Sequence, residues 1–234
     1  MPIFPDFLPK LIASLTESTS ISYAQNIHSQ SISTPLISLP INTTFLSKGQ
    51  GGTPILLLHG FDSSIFEFRR LLPLLATQNE TWAVDLLGFG FTDRLPNLKV
   101  NPGAIATHLY HFWKSLINQP VILVGASMGG AAAIDFTLTY PEIVQKLVLI
   151  DSAGLKNNPI ISKFIFPPLD YFATEFLRRP QVRANISRAA YFDKSFATLD
   201  ANLCARLHLE MPGWNKALIS FTKSGGYGLS LIHI

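Results

Sequence analysis

The stretch Val121-Ile-Leu-Val-Gly-Ala-Ser-Met-Gly-Gly130 decides how the rest of this sequence is interpreted. Its first four residues form a short apolar run typical of a strand buried on both faces, and residues 128–139 follow with the pattern of a helix. Between them lies Gly125-Ala-Ser-Met-Gly129, a G-x-S-x-G motif at a strand-to-helix turn. Such a turn holds its serine in strained backbone, and small residues two positions away let strand and helix approach. The motif therefore predicts Ser127 as a catalytic nucleophile.

Short apolar strands alternate with helices on both sides of this motif. Strands are predicted at residues 54–58, 81–86, 121–124 and 147–150, and helices at 66–76, 102–117 and 128–139. Fully apolar strands of this length are typical of a parallel sheet that helices cover on both faces. The sequence therefore predicts an α/β fold with a mostly parallel sheet.

The two ends of the chain have different patterns. Near the N-terminus, residues 31–39 and 41–46 are predicted as short edge strands of a hairpin that turns around Pro40. Residues 155–222 contain no strand-like run, but several amphipathic stretches separated by prolines, which indicates a helical insertion. We interpret residues 1–151 as a core domain and residues 152–228 as a helical cap over the sheet.

A second candidate feature is His59-Gly60-Phe61-Asp62, which follows the predicted strand at 54–58. Acyl transfer needs backbone N–H groups that face the oxygen on which negative charge develops. The N–H of Phe61 and the N–H of Met128 at the start of the helix are predicted to form this oxyanion hole. Taken alone, a His-Gly pair at this place would as readily be a simple strand end and turn.

Three motifs now stand in order: His59-Gly-Phe-Asp62, Asp85-Leu-Leu-Gly-Phe-Gly90 and Gly125-Ala-Ser-Met-Gly-Gly130. In order and spacing they resemble the capped α/β-hydrolase superfamily, over residues 53–228. The resemblance implies the branch of lipases, esterases and carbon-carbon bond hydrolases, which use a serine nucleophile beneath a helical lid. Epoxide hydrolases and haloalkane dehalogenases of this fold carry Asp at the elbow, so Ser127 argues against both.

The same resemblance implies that an acid and a histidine follow the serine in the chain. Asp85 is implied to be structural, tying loops together beneath the site, and Asp151 is a minor candidate for the acid. No histidine has the expected position; the chain contains His28, His59, His108, His111, His208 and His233. We therefore expect the chain to stop before the catalytic histidine and the last strands, which would leave it inactive and the strand at 147–150 uncovered.

The terminal hexapeptide, residues 229–234, is expected to be non-native. Its sequence Leu-Ser-Leu-Ile-His-Ile resembles the translation of a transposon end sequence used in sequencing libraries. Such a segment is excluded from reasoning about the fold. The alternative is a natural tail.

Composition excludes several function classes. The net charge is only +3 and no basic run occurs, so nucleic acid is not an expected partner. Cys204 is the one cysteine, which precludes an internal disulfide and is expected to be a buried small residue. No export signal and no run of 18 apolar residues is found, so the sequence predicts a cytoplasmic protein without a transmembrane segment.

For a complete enzyme, the predicted reaction is hydrolysis of an ester or related acyl bond through an acyl-enzyme on Ser127, with no cofactor and no metal. An apolar roof is predicted in the cap from Ile160, Ile161, Phe164, Ile165, Phe166, Leu169, Tyr171 and Phe172. Such a roof favours a hydrophobic small-molecule substrate and would fit loose membrane association, although these side chains could equally form the cap's own core. Two alternatives remain open: an acyltransferase with the same site, and a non-catalytic ligand-binding homologue.

Overall fold

The computed structural model describes residues 2–154 and 169–227. In that part of the chain, six strands form one sheet in the order β1-β2-β4-β3-β5-β6. The strands are β1 (His28–Thr34), β2 (Ile37–Lys48), β3 (Ile55–Leu58), β4 (Thr81–Val84), β5 (Val121–Ala126) and β6 (Val144–Ile150). The α-helices are α1 (Ser18–Gln25), α2 (Leu72–Leu75), α3 (Pro102–Leu116), α4 (Met128–Thr139), α5 (Leu169–Arg178), α6 (Pro180–Ala190), α7 (Leu199–Cys204) and α8 (Trp214–Lys223). Short 3-10 helices lie at Lys10–Ser14, Ile65–Phe68, Pro141–Ile143, Lys194–Phe196 and Leu207–Glu210.

The sheet is mostly parallel, as predicted. Strands β4, β3, β5 and β6 run parallel to one another, whereas β2 runs antiparallel to both β1 and β4. Parallel strands place their carboxyl ends at one edge of the sheet, so the segments that follow β3 and β5 lie side by side there. This topology brings the two candidate motifs together.

The apolar strands are buried on both faces because helices cover both faces of the sheet. All four residues of β3 are buried, with Leu56 and Leu58 in one apolar cluster and Ile55 and Leu57 in the other. This division follows from the alternation of side chains along a strand. Helices α3 and α4 contribute to the first cluster, and α1 with the 3-10 helix at Ile65–Phe68 contributes to the second.

The N-terminal hairpin exists, but the prediction of its turn was wrong. The chain turns at residues 35–36, and Pro40 lies inside β2. The pairing of β1 with β2 shifts between Ile32 and Thr34, beside the place where Pro40 would pair. A proline has no N–H to donate, so an irregular position next to an edge strand accommodates it. A preceding helix, α1, was not predicted.

The predicted helix at 66–76 is also interrupted. The structure has a 3-10 helix at Ile65–Phe68 and a single α-helical turn at Leu72–Leu75. Pro73 cannot donate the backbone bond that would join it to residue 69, so one continuous helix does not form. The other predicted strands and helices are present, with ends that move by up to a few residues.

Residues 169–227 contain helices and no strand, as the sequence predicted for this segment. The remainder of the predicted insertion, residues 155–168, lies outside the described residues, as do five members of the predicted apolar roof and the tail at 229–234. Tyr171 and Phe172 of that roof are exposed. The division into a core at 1–151 and a cap at 152–228 stays a prediction.

At the other side of the sheet, β6 is the last strand in the described part of the chain, and its Val148, Leu149 and Ile150 side chains are exposed. None of the helices in residues 2–154 and 169–227 has the length and apolar character needed to cross a bilayer.

Candidate active site

The predicted nucleophile Ser127 stands at the turn between β5 and α4 in unusual backbone. Its φ is 51° and its ψ is −118°, and the residue is exposed. Positive φ is sparsely populated by residues other than glycine, so surrounding contacts must hold it. The Ser127 N–H donates to Ile150 O at 2.9 Å, and its carbonyl accepts from the Gly130 and Ala153 N–H groups at 3.0 and 2.9 Å. The end of β6 therefore fixes the turn from one side.

Two glycines around Ser127 have no room for a side chain, as predicted from the motif. A Cβ added to Gly125 would lie 2.2 Å from Gly129 O, and one added to Gly129 would lie 2.1 Å from Leu58 O. Both contacts are far inside van der Waals distance and involve backbone atoms. Glycine at these positions therefore lets α4 start directly against the ends of β3 and β5.

The His59-Gly60-Phe61-Asp62 segment lies beside this turn. A Cβ added to Gly60 would be 3.4 Å from Ser127 Cβ, so the two segments are in contact range. Within residues 2–154 and 169–227, neither the Phe61 N–H nor the Met128 N–H donates to a protein acceptor. Unused donors next to the serine are what an oxyanion hole requires. Their role as the oxyanion hole stays a prediction.

Phe61 and Met128 differ in where their side chains lie. The Phe61 ring is 45% exposed and lies against Phe89 and against Phe221 of α8, with ring centroids 5.9 and 6.0 Å apart. The Met128 side chain is buried.

Asp62 is a functional candidate that sequence reasoning missed. It is buried at a φ of 49°, and its carboxylate accepts from Arg183 of α6, from His208 Nε2 at 3.1 Å and from Trp214 Nε1 of α8 at 2.7 Å. These partners are 121 to 152 residues away in the chain. The sequence shows only that an Asp follows the predicted oxyanion donor. Its partners lie far away in the chain, so no motif spacing reveals them.

Charge is balanced around Asp62. Burial alone would raise the pKa of its carboxyl group, but the hydrogen bond from His208 and the positive charge of Arg183 hold that pKa below its usual value. Burial also lowers the pKa of His208, so this ring is neutral and donates its Nε2 hydrogen. A carboxylate thus fastens helices α6 and α8 to the loop that carries Phe61.

His59 and Asp85 have structural positions. The His59 ring bonds to Gly60 O through Nδ1 at 2.8 Å and accepts the Leu86 N–H through Nε2 at 3.1 Å, and burial lowers its pKa to about 4. The Asp85 carboxylate accepts the N–H groups of Ile65 and Phe91 at 2.7 and 2.8 Å. Asp85 therefore ties two loops together beneath the site, as the sequence predicted, and burial raises its pKa to about 7.

A cavity of about 520 Å³ opens at Ser127. It is lined by both the segment after β3 and the helical segment: Gly60, Phe61, Asp62, Ser63, Ser64, Phe66, Glu67, Arg69, Ser127, Arg183, Ile186, Ser187, Ala190, Tyr191, Ala201, Cys204 and Ala205. Its volume is in the range of small-molecule sites. Cys204 is buried there, as predicted, and burial raises the pKa of its thiol to about 12.

The catalytic partners of Ser127 do not appear among the described residues. In that part of the chain no side chain is hydrogen-bonded to Ser127 Oγ. Asp151, the minor candidate for the acid, is exposed at the end of β6 with a φ of 45°. Nor do residues 2–154 and 169–227 bring together three His, Cys, Asp or Glu side chains that could hold a metal ion.

Comparison with known proteins gives the family from sequence, and the likeness to solved structures gives the same fold. The chain is 35% identical to the α/β hydrolase domain-containing protein VTE7 of Arabidopsis thaliana, over 97% of this chain and 71% of that protein. It is 35% identical to the 2-hydroxy-6-oxo-6-(2'-aminophenyl)hexa-2,4-dienoic acid hydrolase of Metapseudomonas resinovorans, over 49% of this chain but only 40% of that enzyme.

Among solved structures, the meta-cleavage product hydrolase of Pseudomonas fluorescens superposes with a TM-score of 0.68 at 22% identity, covering 86% of this chain and 72% of that one. At this identity the likeness concerns the fold. The family model described as the α/β hydrolase fold matches residues 53–224, which span the elbow, the loop after β3 and the helical segment. The chain therefore belongs to the α/β-hydrolase fold family.

Proposed function

We propose that this protein is a serine hydrolase that cleaves an ester or related acyl bond of a hydrophobic small molecule through an acyl-enzyme on Ser127. Hydrolase activity agrees with the family, whose relatives include hydrolases by name. The nucleophile, the bond and the substrate are our proposal. The observation that carries it is the exposed Ser127 in positive-φ backbone, beside Gly60 and at the wall of a cavity.

In the proposed reaction, Ser127 Oγ attacks the acyl carbon while a general base removes its proton. The Phe61 and Met128 N–H groups then stabilise the negatively charged oxygen of the tetrahedral intermediate, and each donor contributes about a hundred- to thousandfold in rate. Collapse of the intermediate expels the alcohol and leaves the acyl-enzyme. Attack by water on that ester releases the acid and restores the serine.

The substrate class is proposed from the lining of the cavity. Apolar side chains from both segments form much of its wall, among them Phe61, Phe66, Ile186 and Tyr191. Such a wall favours an apolar acyl or alcohol group, since burying apolar surface contributes about 25 cal/mol per Å². The helical segment that supplies Ile186 and Tyr191 would then act as the cap.

An acyltransferase is the second candidate, because the same acyl-enzyme can pass its acyl group to an alcohol. The proportion of acid and ester formed when an alcohol is added distinguishes the two reactions. A non-catalytic ligand-binding protein is the third candidate, since the fold alone does not determine activity.

The test is covalent labelling by a fluorophosphonate, which reacts with activated serines. The protein is expressed from its complete gene, as the wild type and as two variants, Ser127→Ala and Ser187→Ala. Ser187 lies on α6 and lines the same cavity, so it controls for serine content and for access. We expect stoichiometric labelling of the wild type and of Ser187→Ala, and none of Ser127→Ala.

A folded wild-type protein that takes up no probe would contradict the proposal and favour the ligand-binding alternative. Labelling that persists in Ser127→Ala would place the nucleophile elsewhere. Cytoplasmic location and loose membrane association stay predictions of the sequence.

A further inference from the structure

We propose that the substrate carries a carboxylate group and that Arg69 binds this group at the wall of the Ser127 cavity. The proposal deepens the proposed function, and rests on it in one respect: the cavity is taken as the place where the acyl substrate lies. The observation behind it is a buried guanidinium group that the protein leaves almost without partners.

Arg69 is only 4% exposed and lines the cavity that Ser127 also lines. Its Nη1 donates to Phe66 O over a long distance, 3.4 Å. Its Nε and Nη2 are enclosed by protein and have no hydrogen-bond partner in residues 2–154 and 169–227. Guanidinium donors that are removed from water without acceptors are costly, because the charged group loses its hydration.

Two other arginines near the site have hydrogen-bond acceptors for their guanidinium groups. Arg183 donates to the Asp62 carboxylate and to Leu177 O at 2.8 Å. Arg94 donates to the backbone carbonyls of Gly88 and Gly90 at 3.1 and 2.8 Å. Both have strong acceptors inside the protein, so Arg69 is the exception among the three.

The missing partner of Arg69 is not an acidic side chain hidden in an undescribed part of this chain. All 15 Asp and Glu residues lie within the described residues, and in that part of the chain none forms an ion pair with Arg69. Glu67 is a nearby acidic residue on the cavity wall, and its Oε2 accepts the Gly60 N–H at 2.9 Å. In the proposal, a ligand in the cavity supplies the acceptor.

A carboxylate is the chemical group that suits this place. Its two oxygens match the parallel donors of a guanidinium, and charge-assisted bonds of this kind are about twice as strong as neutral ones. Since Ser127 and Arg69 line the same cavity of about 520 Å³, one small molecule can reach both.

The experiment compares two esters with the same six-carbon acyl chain, p-nitrophenyl hexanoate and the mono-p-nitrophenyl ester of adipic acid, which ends in a carboxylate. Arg69→Met removes the charge and keeps most of the side-chain length. We expect kcat/KM for the adipate ester to fall about 10- to 100-fold, the range for a lost hydrogen bond to a charged group, with a much smaller change for the hexanoate ester. Arg69→Lys should restore part of the preference.

Arg70→Met is the matched control, because Arg70 is the chain neighbour and pairs with Glu17 at 3.0 Å near the surface. We expect it to change both esters equally and little. Arg69→Met should unfold at the wild-type temperature or above it, since it removes a buried charge that lacks a partner. An equal loss on both esters together with a lower unfolding temperature would overturn the proposal and make Arg69 a structural residue.

A binding measurement separates this proposal from the proposed function. If the wild type hydrolyses neither ester, the hydrolase proposal fails, but free adipate should still raise the unfolding temperature of the wild type and not that of Arg69→Met. Equal shifts in the two proteins, or no shift in either, would contradict a carboxylate site at Arg69.

Discussion

Strained backbone occurs both in the loop after β3 and in the elbow after β5, but different kinds of contact hold it in place. Each has a residue other than glycine at positive φ, Asp62 at 49° and Ser127 at 51°. Asp62 is buried and its carboxylate is bound by three side chains, whereas Ser127 is exposed and is held through its backbone. One strained residue is therefore held by bonds to its side chain, and the other by bonds to its backbone, which leave its side chain free of that task.

In the elbow, close packing of backbone supplies the restraint. Gly125 and Gly129 leave no space between β5, α4 and the end of β3, so among the described residues the strained turn is held without a bond to the serine hydroxyl. The hydroxyl thus remains available to a substrate and a base. In the loop after β3, the restraint comes from side chains on distant helices, so its position depends on how the helical segment is attached.

Adding one methyl group at Gly129 should break the elbow and gives the largest expected effect. The new Cβ would lie 2.1 Å from Leu58 O and 2.6 Å from His59 O, which are both backbone atoms. We expect Gly129→Ala to lower the free energy of unfolding by more than about 5 kcal/mol or to prevent folding, which chemical denaturation or soluble yield would measure.

Gly103→Ala is the matched control. Gly103 lies in the first turn of α3, and the nearest atom to an added Cβ would be Asn101 Oδ1 at 3.6 Å, an ordinary contact. Alanine is favoured over glycine in helices by about 1 kcal/mol, so this variant should be as stable as the wild type or slightly more. A Gly129→Ala protein of unchanged stability would disprove the packing account of the elbow.

Removing the Asp62 carboxylate should loosen the loop without breaking the elbow. Asp62→Ala leaves Arg183, His208 and Trp214 buried without their acceptor, and loss of one partner of a buried ion pair costs about 3–5 kcal/mol. We expect that loss in chemical denaturation, together with faster proteolysis of α6. The control is Asp170→Ala, because Asp170 pairs with Lys223, whose side chain is 41% exposed, so this variant should be destabilised less than Asp62→Ala.

The charge of Asp62 should give a smaller, pH-dependent effect. Its folded pKa lies below the usual value of 3.8, so the stability that its charge contributes is present above about pH 4 and is lost as the pH falls through the folded pKa. The difference in unfolding free energy between the wild type and Asp62→Asn should therefore stay constant from pH 7 to 5 and shrink below pH 4. A difference that grows on acidification would show that the carboxylate is not held ionised.

The sequence predicted the parts of the fold that depend on local patterns. The apolar runs predicted the parallel strands. Gly125 and Gly129 predicted the elbow, because such a turn has no room for a side chain two positions before or after its serine. Pro40 was misplaced, because a proline marks a break in pairing as readily inside a strand as at a turn.

The candidate site was predicted where it is built from neighbours in sequence and missed where it is built from contacts between distant segments. The predicted positions of Ser127 and Phe61 follow from motifs next to strand ends. The partners of Asp62 come from α6, α8 and the 3-10 helix at Leu207–Glu210, and only the folded chain brings them together. Among the described residues Arg69 forms no ion pair, and this could be recognised only after every Asp and Glu had been located in the structure.

The most direct test of the central claim, that the elbow presents Ser127 as a nucleophile, is to trap the acyl-enzyme. The protein from its complete gene is mixed with p-nitrophenyl hexanoate, quenched in acid within the first turnover, digested and analysed by mass spectrometry. The account predicts a hexanoyl group on the peptide that contains Ser127, and no such group in Ser127→Ala. A hexanoyl group on another residue, or turnover that continues in Ser127→Ala, would contradict it.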